Sequence, residues 1–154
     1  MGLVCSWLGL PSDATAGDLL SVVSVYDGDT LTVLVDRKPV KVRLAEIDAP
    51  ELRQAFGIAS RDSLRALCAG QVAEVTQTGW DERNQRPVAR VTCRETDVAT
   101  HLVRNGMAWV WPRYAPSDSP LFLIQTNAKA AGRGLWVEPN PIEPWEWRKA
   151  QRAE

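Results

Sequence analysis

Four acids in the first third of the chain have the types and spacing for chemistry: Asp27 and Asp29 in the run YDGDTLTVLV, and Asp48 and Glu51 in IDAPE. Two aspartates at period two on a strand edge can turn their carboxylates to the same side. An Asp-Gly turn needs one acid, which leaves the second without a structural task. If the flanking strands pair as hairpins, the turn carrying Asp27 and Asp29 approaches the point where Asp48 and Glu51 leave the third strand. Three or four oxygens then converge. Hard cations such as Ca2+ take six to eight oxygen ligands from carboxylates, carbonyls and water, and this pocket leaves room for waters and a substrate oxygen. Each acid alone has an ordinary reading, Asp27 as a turn residue and Asp48 as a cap beside Pro50.

To converge, these residues need a particular scaffold. Residues 20–26, 30–35 and 39–47 read as three strands joined by the DGD turn and by DRKP, both short enough for hairpins. In the third strand Val40, Val42 and Leu44 alternate with Lys41, Arg43 and Ala45, so Arg43 leaves the apolar face. Pro50 breaks that strand, and Phe56, Ser60, Leu64 and Leu67 follow along one helical face up to Gly70. Residues 71–77 and 87–93 read as two more strands around a polar loop, TGWDERNQR. A short helix over 97–105 stops at Gly106, and another over 120–131 stops at GRG. The proline-rich tail PNPIEPWEWRK reads as extended, docked by Trp145 and Trp147. Five strands with a helix between the third and fourth predict an α+β, mainly β fold: a five-stranded Greek-key barrel of OB type with about three flanking helices.

Composition excludes several classes. At 154 residues, 45% hydrophobic and 24% charged, the chain suits one compact domain with its own core. Eighteen basic residues against 19 acidic ones, a net charge of -1, rule out a strongly basic electrostatic footprint. Any polyanion must be held by locally placed arginines. The only histidine is His101 and no cysteine has a close-spaced partner, which excludes a Cys/His metal site.

Residues 1–16 read as a truncated signal peptide or a disordered leader, since LVCSWLGL is a short apolar run and ATAG offers a small-x-small site, although no basic residue precedes Arg37. A frayed apolar tail or a first strand is the alternative. Loss of residues 1–16 would remove Cys5 and leave Cys68 and Cys93, the even pair of an exported protein with one disulfide. Two buried free thiols fit the sequence as well. If strands four and five pair antiparallel, Cys68 before the one and Cys93 at the end of the other come within bonding distance. Nothing is long enough for a membrane span.

Taken together, DGDT, VRLAEIDAPE and RNQRPVARV resemble the staphylococcal nuclease (thermonuclease) family, and the resemblance runs through nearly all of residues 20–147. GMAWVWPRY and AAGRGLW resemble its segments after the second and third helices. The resemblance implies a Ca2+-dependent endonuclease acting on DNA and RNA, with 3'-phosphate products; the leader and the cysteine pair point to an exported (periplasmic or secreted) protein, expected to be a monomer. The resemblance also implies Asp29, Asp48 and the Ala49 carbonyl as metal ligands, Arg43 and Arg86 as a phosphate clamp, Glu51 as general base and Tyr114 in the nucleotide pocket. The residues support that chemistry independently, since one helical histidine leaves a carboxylate as the only well-supplied general base. Three departures stand out. Ala49 replaces a common threonine, the loop before Arg86 lacks the usual Tyr and Gly, and Pro112 replaces one of two pocket tyrosines, which shifts base stacking toward Trp109 or Trp111. The alternative is a catalytically silent OB-type module that binds nucleic acid or a protein. Such degenerate domains characteristically lose the acids and arginines, all of which survive here.

Overall fold

The computed structural model describes residues 17–153; the leader expected over 1–16 lies outside the described residues. Strands β1 (Asp18–Asp27), β2 (Thr30–Val35) and β3 (Lys38–Leu44) form an antiparallel meander. The β2–β3 turn is two residues long, with Asp36 and Arg37 both at positive φ, the primed geometry that matches strand twist. β1 carries register shifts between Val22 and Ser24 and between Val25 and Asp27. These bulges let Val22 and Val25 both face the core although they are three residues apart.

The third strand is shorter than the expected 39–47. It ends at Leu44, Glu46 takes a left-handed φ of 66°, and the chain re-enters as β4 (Ile47–Asp48). That kink moves Asp48 out of the main sheet into a separate pairing with β8 (Trp109–Val110). Helix α1 (Gly57–Cys68) follows, burying Ser60, Leu64 and Cys68 along one stripe. β5 (Val72–Asp81) and β6 (Arg86–Cys93) pair from Ala73 opposite Cys93 to Asp81 opposite Arg86. The polar loop expected over 78–86 is therefore only residues 82–85. Thr78, Gly79 and Trp80 continue the strand, and the register shift between Gln77 and Gly79 absorbs the poor strand residue Gly79.

After β7 (Thr96–Asp97), α2 (Val98–Arg104) starts at Asp97, whose carboxylate accepts the Thr100 N–H at 2.7 Å. Strand β8, α3 (Leu121–Ala130) and a 3-10 turn (Gly134–Val137) lead to a fourth helix, α4 (Pro144–Gln151). The extended tail expected there is thus corrected. Pro144 occupies the first helical turn, where its missing N–H costs nothing, and Pro139 and Pro141 precede the helix.

The sheet runs β3-β2-β1-β5-β6-β7 and closes on itself where β3 meets β6 in parallel, Arg43 opposite Val88 and Leu44 opposite Ala89. This makes a closed five-stranded barrel of OB type with four helices beside it. Leu31, Val33, Val42, Leu44, Ala89 and Val91 fill it, none more than 2% exposed, as expected of an interior too narrow for water. No helix among the described residues is long and apolar enough to cross a membrane.

Cys68, at the end of α1, is bonded to Cys93, at the end of β6, with Cα atoms 5.4 Å apart and a sequence separation of 25. Ala73 opposite Cys93 is the register that brings the end of α1 to β6. Closing such a loop restricts the unfolded chain. Reduction of the disulfide should therefore lower the unfolding free energy by about 3 kcal/mol, read from urea denaturation with and without reductant; an unchanged midpoint would contradict it.

Candidate active site

The DGD turn explains its two acids. Asp27 accepts the Asp29 N–H at 3.1 Å and so closes the turn, the usual role of an aspartate there. Asp29 faces inward. One of its oxygens accepts the Ala49 N–H at 2.8 Å, the other accepts the Thr30 hydroxyl at 3.1 Å, and Arg43 lies 3.7 Å away. Gly28 permits this approach, because a Cβ at that position would lie 2.6 Å from Cβ of Ser60 and 2.7 Å from Cβ of Ala49. Gly57 does the same for the next loop, since a Cβ there would collide with the Glu51 carbonyl.

Arg43 points away from the barrel interior, as alternation requires, but is not solvated. Its Nη1 donates to the carbonyls of Leu44 and Ile47 at 3.3 and 3.1 Å, and its Nη2 donates to Asp48 at 3.1 Å. The kink after β3 is what curls this segment around the guanidinium. Arg86, at the start of β6, donates through Nε to Asp81 at 2.9 Å and through Nη1 to the Thr30 hydroxyl at 3.1 Å. Thr30 thereby links Arg86 to Asp29. Asp81, directly opposite Arg86 in the hairpin, orients it and had no signal in the sequence beyond that register.

Asp48 is 1% exposed. It accepts from Arg43 and, through both oxygens, from Arg148 of α4 at 3.1 and 2.7 Å. Arg148 also donates to Glu51 at 2.8 Å. The arginine was missed because the tail was read as extended; a helix places it three residues after Trp145 on the same face. Trp111 packs beside these groups, with the Arg43 and Arg148 guanidiniums each 5.4 Å from its ring and Trp145 stacked parallel to it at 5.8 Å. Tyr114 meets the edge of Trp111 at 4.6 Å and is itself exposed. Trp109 is buried against Trp136 and Trp145, so of the two tryptophans considered for stacking only Trp111 adjoins Tyr114.

The carboxyls sense one another. Burial first, and the Asp29 charge second, push Asp27 up to about 7. Burial likewise lifts Asp48 to about 6 in spite of its two guanidinium partners. Asp29 is also penalised by burial, but Arg43 and the Ala49 N–H outweigh this and hold it below the usual carboxylate range. An all-oxygen donor set of Asp29, Asp48 and the Ala49 carbonyl suits a hard cation. Among the described residues no three His, Cys, Asp or Glu side chains stand together as a ready ligand set. Arg148 bridges Asp48 and Glu51 instead.

Residues 41–138 match the family described as staphylococcal nuclease homologue. The chain belongs to that family. It is 44% identical over 133 residues to an uncharacterized endonuclease of Haemophilus influenzae, spanning 85% of this chain and 73% of that protein. It is 38% identical over 141 residues to a micrococcal nuclease of Shigella flexneri (85% and 80%), and 41% identical over 128 residues to an uncharacterized endonuclease of Escherichia coli (82% of each). Membership in the staphylococcal nuclease family supports nuclease function and nucleic acid as the substrate class. Every residue that the sequence singled out, Asp29, Arg43, Asp48, Ala49, Glu51 and Arg86, lies in this one bonded network, with Tyr114 at its edge.

Gly28→Ala should force the DGD turn off Ala49 and Ser60 and cost roughly 1–3 kcal/mol, the usual penalty of overpacking. Urea denaturation measures it, and a variant as stable as the parent would show that the turn is not held by this close approach.

Proposed function

We propose that this member of the staphylococcal nuclease family is a Ca2+-dependent endonuclease that hydrolyses DNA and RNA and leaves 3'-phosphate ends. The observation that carries the reading is the convergence of two arginines from different strands on one buried acid, Asp29, which Arg43 approaches to 3.7 Å and which Arg86 reaches through the Thr30 hydroxyl. A purely structural ion pair needs one partner each, whereas a phosphodiester in transition needs several donors around one phosphorus.

Asp29, Asp48 and the Ala49 carbonyl would hold the cation. Bound there, Ca2+ would supply Lewis-acid polarisation of a phosphate oxygen and screening of developing charge. Glu51, whose side chain is about one-third exposed at 33%, is the acid of the cluster open to water, and orients and deprotonates the attacking water. Arg43 and Arg86 donate to the remaining phosphate oxygens. Arg86 is well set for this, because Asp81 and Thr30 hold Nε and Nη1 while Nη2 has no protein partner among the described residues. Tyr114, with Trp111 beside it, offers an aromatic platform for a base at the rim. The protein acts as a monomer in an exported, oxidising compartment, a placement supported by the Cys68–Cys93 disulfide. A silent binding module would have no use for a largely buried Arg43 held between the buried acids Asp29 and Asp48.

Degradation of single-stranded DNA in Ca2+ should disappear in excess chelator; equal activity in both would remove the metal from the reaction. Mg2+, which demands tighter octahedral geometry and dehydrates reluctantly, should support much less turnover.

Arg43→Ala and Arg86→Ala should each lower kcat by about 100- to 1000-fold, the usual effect of deleting a transition-state donor. The comparison with Arg83→Ala checks the loop: a near-normal Arg86→Ala beside an inactive Arg83→Ala would transfer the role to Arg83.

A further inference from the structure

Arg148 is the cation already in the acid pocket. Its guanidinium engages both oxygens of Asp48 and one of Glu51, at 2.7 to 3.1 Å. Asp48 also accepts from Arg43, so each of its oxygens has a guanidinium donor. We propose that Arg148 and a divalent cation occupy Asp48 in mutually exclusive fashion, which makes Arg148 a positioning residue that sets the cation affinity of the site. The inference rests on the reading of Asp48 as a metal ligand.

The rest of α4 is built to deliver this side chain. Trp145 lies parallel on Trp111, and the carbonyl of Ile142, just before the helix, accepts the Gln54 amide at 2.6 Å, tying α4 to the turn that carries Glu51. Arg148 then projects from the next turn of the helix onto the acids, its guanidinium beside the Trp111 ring. Two features make the contact displaceable. The Arg148 side chain is 28% exposed, against 11% for Arg43, and it reaches the site from the end of a long flexible stem, where Arg43 is pinned by two backbone carbonyls. A cation entering the pocket therefore meets one guanidinium that can swing out and one that cannot. While Arg148 is docked, the fraction of molecules open to the cation is reduced, and the apparent affinity falls by that fraction.

Calorimetric titration of CaCl2 into the nucleic-acid-free protein tests this without reference to catalysis. Arg148→Gln should bind Ca2+ about tenfold more tightly than the parent, while Arg152→Gln, which removes the same charge from the exposed end of α4, should stay within about twofold. Arg148→Lys keeps the charge but loses the fork that grips both acids, and should bind several-fold more tightly than the parent; it carries the test should Arg148→Gln not fold. Binding that is equal or weaker in the Arg148 variants, or tightened as much by Arg152→Gln, overturns the exclusion and leaves the metal reading standing. No Ca2+ binding by the parent or any variant overturns both.

Discussion

The fold turns on the short parallel contact in which β3 meets β6. Only two residue pairs make it, Arg43 with Val88 and Leu44 with Ala89, yet they convert an open meander into a closed barrel. Closure brings the hairpin that carries Arg86 against the strand that carries Arg43. Because Thr30 lies opposite Arg43 on the other side, the same contact brings Arg86 to the Thr30 hydroxyl and, through it, to Asp29. Without closure the two arginines would belong to separate ends of a sheet.

Charge is arranged around that seam in a way a hydrophobic core cannot tolerate unless each group is paired. Asp29 is satisfied by a backbone N–H, a hydroxyl and the field of Arg43; Asp48 is satisfied by guanidiniums alone. Burial penalises both. At Asp29 the Arg43 charge, with the Ala49 N–H and the Thr30 hydroxyl, outweighs it, whereas at Asp48 burial and the neighbouring Asp29 charge outweigh the guanidiniums.

The barrel and the acids were legible because they rest on local signals. Alternation in β3 placed Arg43 off the apolar face, the DGD run marked a turn with one acid to spare, and antiparallel pairing of β5 with β6 brought Cys68 to Cys93. What escaped depends on contacts distant in sequence. The kink at Glu46 that detaches Asp48 arises because β4 pairs with β8, some sixty residues onward by the Ile47 to Val110 register. The partnership of Asp81 with Arg86 needed the hairpin register, which the polar loop concealed. Helix α4 was hidden by prolines that mark extended chain in isolation; Trp145 stacking on Trp111 supplies tertiary packing that local propensity does not report. Arg148 was lost with it.

The link between Cys68 and Cys93 has a topological consequence. The segment it encloses contains β5, the exposed tip at 82–85 and β6 up to Cys93, including Asp81 and Arg86. Tips of this kind are where proteases cut. A single cleavage inside the ring would open a loop without releasing a fragment, since the two halves stay covalently joined through sulfur. A nicked molecule would thus retain in one piece the acids of its first half and the arginine of its second, and the five-stranded barrel could hold together across the cut.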